Sequence, residues 1–278
     1  MKNLLSRTVK TVNLTALQKA LCYTVITEEK QNIKKQEETI MTKEIIIMAK
    51  SLKYGNYCIA GIDTESGNWV RLDSGIEYLH GAVPADFAKY ADKSMVEVLD
   101  VVQVYLPENA EYAATPFQRE NIFYDENYRW KKVGQKTIEE VISEYGTQSC
   151  QYIFGSRFAS LSENELDGTS LLFLNVKQPV INVRYEGEKI RVKLDFEYNG
   201  VRYSNFAVTD MNIKSKYLER GIGRYTLGSS CNLVTSVGCE FKGRYYKLAA
   251  QIFTNDSSEI NLNTSEQYTN ICDGACAF

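Results

Sequence analysis

The chain has 278 residues, 44% hydrophobic and 24% charged, enough to bury one large core or two of ordinary size, and two is the better fit. Four prolines and the lack of any Gly-, Ser- or Gln-dominated tract exclude a low-complexity linker, while nineteen Tyr and eleven Phe suit a strand-rich fold. A net charge of −3 conceals local balances of +3 over residues 1–42, −8 over 43–170, +6 over 171–255 and −4 over 256–278.

Residues 1–40 read as an arm outside the folded core. Arg7, Lys10 and Lys19 interrupt its apolar pieces, which leaves no membrane span and no signal-peptide core. The arm is either a weak amphipathic helix with a charged linker or sequence upstream of a start at Met41, with an organelle-targeting arm as a third option. A first β unit is then expected over 41–107. It has a strand over 44–49, a polar turn over 50–56, a strand over 57–62, and a loop over 63–68 that closes a hairpin onto Trp69-Val70-Arg71-Leu72. A strand over 95–106 is too continuously apolar to be wet on one face, so it should be central, and Pro107 stops it.

Residues 108–170 read as a connection with one clear helix over 137–145. Thr137 and Glu140 form a capping box, Ile138, Val141, Ile142 and Tyr145 make one apolar stripe, and Gly146 is the stop. A second β unit follows over 171–255. Ile190, Val192, Leu194, Phe196 and Tyr198 alternate with charged residues at period two, and Asn199-Gly200 is a tight-hairpin signal. The apolar parity then shifts between Tyr203 and Phe206, which predicts a bulge at Ser204-Asn205. Strands over 231–237 and 244–253, with a turn over 238–243 between them, close the unit. Residues 256–278 form a polar tail. The fold class is therefore mainly β with a minor helical component, two barrel-like units joined by a partly helical connection.

Seven irregularly spaced cysteines, at 22, 58, 150, 231, 239, 272 and 276, fit a reducing, cytoplasmic compartment, with Cys58 and Cys231 as buried strand residues. Cys272 and Cys276 with one histidine in the chain do not meet a zinc ligand count, so neither a metal nor another cofactor is expected.

Several motifs carry a resemblance. Gly55-Asn-Tyr-Cys58-Ile59-Ala60-Gly61 with Gly67-Asn-Trp69-Val70-Arg71, then Phe196-Glu-Tyr198-Asn-Gly200 with Val208-Thr209-Asp210, then 236–249 from Ser236 to Ala249, resemble in order and spacing the bacterial dual OB-fold domain family over about residues 43–255. Leu72 and Met211 stand where that family tends to have proline, which bears on loop geometry. The resemblance implies two OB-like barrels and nucleic-acid binding, and it supplies no catalytic residues.

On the residues themselves, the basic second unit offers phosphate contacts at Arg191, Lys193, Arg202, Arg244 and Lys247, and stacking rings at Tyr198, Tyr203 and Tyr245. Tyr198 shares parity with Phe196 and Leu194, so a core role competes. Trp69 and Arg71 share a strand face. They form either a base platform with a phosphate clamp, or a core tryptophan beside an arginine paired with Asp63, Glu65 or Asp73. The expected partner is single-stranded DNA or RNA. The alternative is a protein-interaction or regulatory adaptor whose acidic half docks a basic partner; neither involves a membrane. An enzyme is the third class. It would rest on His80 without a nucleophile motif, on the paired carboxylates Asp63/Glu65 or Glu139/Glu140, or on the glycine-rich 221–228, which lacks the phosphate-loop pattern and reads as a loop between strands. Non-catalytic binding is the expectation.

Overall fold

The computed structural model describes residues 41–53, 55–107, 117–254 and 260–261. The N-terminal arm, with Cys22, lies outside the described residues, as does the C-terminal tail apart from 260–261, including Cys272 and Cys276.

The first sheet starts with three strands in antiparallel succession, β1 (Thr42–Lys53), β2 (Asn56–Asp63) and β3 (Trp69–Asp73). β4 (Asp100–Tyr105) returns to the free edge of β1, and β5 (Asn121–Phe123) crosses over to pair parallel with β3. β6 (Lys131–Gln135) adds to β4, giving the order β5-β3-β2-β1-β4-β6. Asp125 N–H donates to Tyr105 O at 2.8 Å, linking the exit of β5 to β4. β5 and β6 come from the stretch that the sequence assigns to the connection. One is three residues long and the other is a polar edge strand, so neither carries a period-two apolar signal.

Two first-half expectations change. β1 runs on through Lys53 where a polar turn is expected, because Lys50 is buried with its Nζ on Val96 O at 2.6 Å and beside Glu97 at 2.8 Å. The strand expected from 95 begins at Asp100, since Leu99 takes a positive φ of 72°. β4 is central, as expected, between β1 and β6.

The helix α1 (Ile138–Tyr145) forms with its capping box: Thr137 Oγ1 accepts from Glu140 N–H and Glu140 Oε2 accepts from Thr137 N–H. Short 3₁₀ turns at Ile153–Gly155 and Glu163–Glu165 and the two-residue strand β7 (Ser160–Leu161) occupy the rest of the connection.

In the second sheet, β8 (Leu171–Glu186), β9 (Lys189–Tyr198) and β10 (Val201–Val208) are antiparallel in succession. The helix α2 (Met211–Arg220) follows, then β11 (Gly223–Thr226), β12 (Ser230–Phe241) and β13 (Arg244–Phe253). β13 pairs with β12 and, in parallel, with β10, while β12 pairs back onto β8; the ring β8-β9-β10-β13-β12 is closed. Gln178, at φ 48°, and Pro179 bend β8, so its first half serves β12 and its second half serves β9 and β11. β11 lies in the glycine-rich stretch read as a loop, and β14 (Ile260–Asn261) of the tail pairs with it.

The hairpin at Asn199-Gly200 is present. Both residues have positive φ, 49° and 74°, Tyr198 pairs with Val201, and the register shifts between Tyr203 and Phe206 at the expected bulge.

Three apolar clusters organise the molecule. One fills the first sheet, with Ile45, Ile47, Leu72, Val102 and Trp130, and one fills the closed ring, with Leu194, Phe196, Tyr203, Phe206 and Leu233. The third lies between the sheets and gathers Ile46, Met48, Ile62, Val101, Phe173, Val234 and Ala250, with α1 against it through Val141. Adjacent residues of β1 thus belong to different clusters, and 45–48 are buried on both faces.

Candidate nucleic-acid interface

The second barrel's outer face is set by strand parity. On β9, Val192, Leu194, Phe196 and Tyr198 point into the ring, which turns Arg191 and Lys193 outward. On β13, Lys247 and Ala249 are buried with Tyr245 half-buried beside them, so Arg244, Tyr246 and Leu248 face the other way. The β12–β13 turn, Lys242-Gly243, has both residues at positive φ, 54° and 75°, and puts Phe241 and Lys242 at the rim.

These surfaces enclose a groove of about 1050 Å³. Arg191, Lys193, Lys214, Lys242 and Arg244 line it, together with Asn205, Thr209, Phe241 and Tyr246. Phe241 is 60% exposed and Tyr246 39%, with ring centroids 6.3 Å apart, and Lys242 Nζ lies 5.6 Å from the Phe241 ring centre. Arg244 is anchored by Nε to Ser160 Oγ at 3.2 Å and by Nη2 to Ser160 O at 3.1 Å. Glu186 is the one acid in the lining among the described residues, 3.4 Å from Lys193 and 3.0 Å from Arg184. Burial alone would raise its carboxyl, but the Arg184 hydrogen bond and the Lys193 charge hold it below the ordinary value.

Of the residues singled out from sequence, Arg191, Lys193 and Arg244 meet in this groove. Arg202 is exposed but lies outside the lining, with Nη1 on Gln178 O at 3.5 Å. Tyr198 and Tyr203 are not stacking platforms. Both are inside the ring, where the Tyr198 Oη accepts from Cys150 N–H at 3.0 Å and the Tyr203 Oη accepts from Ile153 N–H at 3.1 Å. Lys247 is not a surface phosphate contact either. Its strand borders the groove, but its Nζ turns inward onto Ile153 O at 2.6 Å and Ser156 O at 2.7 Å, and burial lowers its pKa to about 8. Tyr245 packs its ring 5.0 Å from Phe117, away from the groove.

Trp69 and Arg71 do not face a ligand. Trp69 packs on the cluster between the sheets and donates from Nε1 to Gln148 Oε1 at 2.9 Å. Arg71 is 7% exposed and holds Glu120 Oε1 at 3.2 Å, Ser170 Oγ at 2.6 Å and Cys58 Sγ at 3.2 Å. Its acidic partner is Glu120, 49 residues along the chain, rather than Asp63, Glu65 or Asp73.

Lys214, Lys242, Phe241 and Tyr246 were missed. Parity on β13 was the available signal, because Tyr246 alternates with the apolar-facing Tyr245 and Ala249. Lys214, on α2, has no such signal, since the helix meets the groove only through the ring's closure.

Among the described residues, Cys58, Cys150, Cys231 and Cys239 are free thiols; Cys58 and Cys231 lie in strands as expected, but only Cys231 is buried, Cys58 being half-buried beside the Arg71 guanidinium. Among the described residues, no group of three His, Cys, Asp or Glu is placed to hold a metal ion, and no helix is long and apolar enough to cross a membrane.

A closed five-stranded Greek-key ring with a helix between its third and fourth strands is an OB barrel. The first sheet repeats that strand order, with no ladder between its β4 and β5 among the described residues, so the class is a mainly β protein with one closed OB barrel and a second, OB-like sheet. The family described as "Dual OB-containing domain" matches residues 43–252, and the chain belongs to that family. Comparison with curated proteins and with solved structures gives no match.

Proposed function

We propose that the second barrel binds single-stranded nucleic acid, DNA or RNA, along the groove, as a non-catalytic binding protein acting in the cytoplasm. The observation that carries this reading is the groove itself. Five cations and two exposed rings from β9, α2, the β12–β13 turn and the start of β13 converge beside β10, on the strand 2–3 face and the loop between strands 4 and 5 that OB folds use for oligonucleotides. Arg191, Lys193, Lys214, Lys242 and Arg244 meet phosphates; Phe241 and Tyr246 stack on bases, each contact contributing about 1–3 kcal/mol.

Fluorescence anisotropy with labelled single-stranded and duplex oligonucleotides across a salt series tests this. Single strands should bind more tightly than duplex, with affinity falling steeply as salt rises. Reversing both charges in Arg191→Glu/Lys193→Glu should flatten the salt slope by roughly 1.4, about 0.7 per phosphate contact. Phe241→Ala/Tyr246→Ala should weaken binding with the slope unchanged. A flat or absent signal with every oligonucleotide overturns this reading in favour of an adaptor.

A further inference from the structure

Next to the basic groove lies a cleft of opposite sign, and we propose that it is a second site, one that takes an arginine or lysine side chain from a partner protein. The cleft has a volume of about 470 Å³ and lies between the turn that follows β3 and the end of β12. Among the described residues, Asp73, Glu77 and Glu240 line it with His80, and no lysine or arginine does. Asp73 ends β3 and Glu77 follows in a 3₁₀ turn, whereas Glu240 is on β12, so the packing of the two sheets assembles the charge.

Two further observations point to a cationic donor. Asn121 is 3% exposed and lines the cleft; its Nδ2 donates to Asp73 Oδ2 at 3.2 Å, while its Oδ1 has no hydrogen-bond partner among the described residues. A buried carbonyl oxygen is costly to leave unpaired, and a ligand with several N–H groups removes that cost. The half-buried rings of Phe117 and Tyr245 form an aromatic wall, with centroids 5.0 Å apart and planes tilted 56°. Ring faces attract guanidinium and ammonium groups, and a guanidinium brings five donors in a planar fork.

The carboxylates decide between occupants. A phosphate is repelled by three of them. A neutral base stacks on the rings but gains little from the charge, whereas a basic side chain uses the rings, the acceptors and the charge together. The local balance of −8 over residues 43–170 extends the attraction beyond the cleft to the rest of a basic partner. This site does not depend on what occupies the groove.

The test uses the full chain and three short fluorescent peptides, alternating glycine with arginine, lysine or citrulline. The arginine and lysine peptides should bind and the citrulline peptide should not. Glu77→Gln/Glu240→Gln, both at exposed positions, should weaken arginine-peptide binding at least about tenfold. Glu65→Gln/Glu139→Gln, the same charge change outside the cleft, should leave it within about twofold. Single-stranded oligonucleotide affinity should not fall in either variant. Equal binding of the citrulline peptide, or equal losses in the two variants, overturns the site. So does a loss confined to guanine-containing oligonucleotides in Glu77→Gln/Glu240→Gln, because the cleft would then be reading a base.

Discussion

Asp210 joins the helix, the ring closure and the neighbouring barrel, and replacing it tests the second barrel's construction most directly. It is 1% exposed and caps α2, its Oδ1 accepting from Ile213 N–H at 3.0 Å. Oδ2 accepts from Ile252 N–H at 3.0 Å and from Gln251 Nε2 at 2.7 Å, and Asp210 also bridges to Ser51 of β1. Asp210→Ala strands three donors, and each buried orphan costs about 1–3 kcal/mol. Burial raises the carboxyl's pKa despite these bonds, so its own desolvation offsets part of the sum. The expected loss is about 3–5 kcal/mol, a large share of the roughly 5–15 kcal/mol that holds a typical domain together. Asp210→Asn keeps one acceptor but turns an NH₂ toward Ile252 N–H, for a loss of about 1–3 kcal/mol. Urea unfolding followed by circular dichroism measures both. With a slope near 2–3 kcal/mol/M, the Asp210→Ala midpoint should fall by roughly 1–2 M. A fall of less than about 0.3 M with an unchanged slope would show that the carboxylate is not a structural acceptor.

Arg71→Met should cost about 3–5 kcal/mol by leaving Glu120 charged and buried, and Arg71→Met/Glu120→Gln should recover part of it; additive losses in a double-mutant cycle would contradict the ion pair. A Cβ at Gly61 would stand 2.1 Å from Ile46 O, so Gly61→Ala should separate β1 from β2 and leave little soluble folded protein; a melting curve like that of the parent would refute the close approach. Lys247, lowered to about 8 when folded against an ordinary 10.5, binds fewer protons folded than unfolded between those values, so its contribution to stability rises with pH across that window. The stability difference between the parent and Lys247→Met should therefore grow by about 2 kcal/mol from pH 7 to pH 10 in urea titrations, and a constant difference would place the amine in water.

Local chemistry made much of this fold legible in the sequence. The hairpin needs positive φ at two successive residues, and Asn199-Gly200 supplies them; the bulge follows from the parity shift between Tyr203 and Phe206. The Thr137–Glu140 capping box closes within four residues. The motif order identified the family. Of the five cations the charge division singled out, Arg191, Lys193 and Arg244 line the groove, whereas Arg202 lies outside it and the Lys247 amine turns inward.

A period of two separates the faces of a strand but does not say which face meets water. Ring closure and the packing of the two sheets made that choice. Ile46 and Met48 point away from the first core yet are buried, because the second barrel covers them. Arg71 is buried and Trp69 half-buried for the same reason, and Arg71 finds Glu120 only through the fold. The loop through Ile153 and Ser156 accepts hydrogen bonds from Lys247, which turns that amine and Tyr203 inward and leaves Tyr246 and Phe241 outside. Lys214 reaches the groove from α2, and Asp73 and Glu240 share a cleft from different sheets. Those positions depend on contacts between residues far apart in the chain, and no local pattern encodes such contacts.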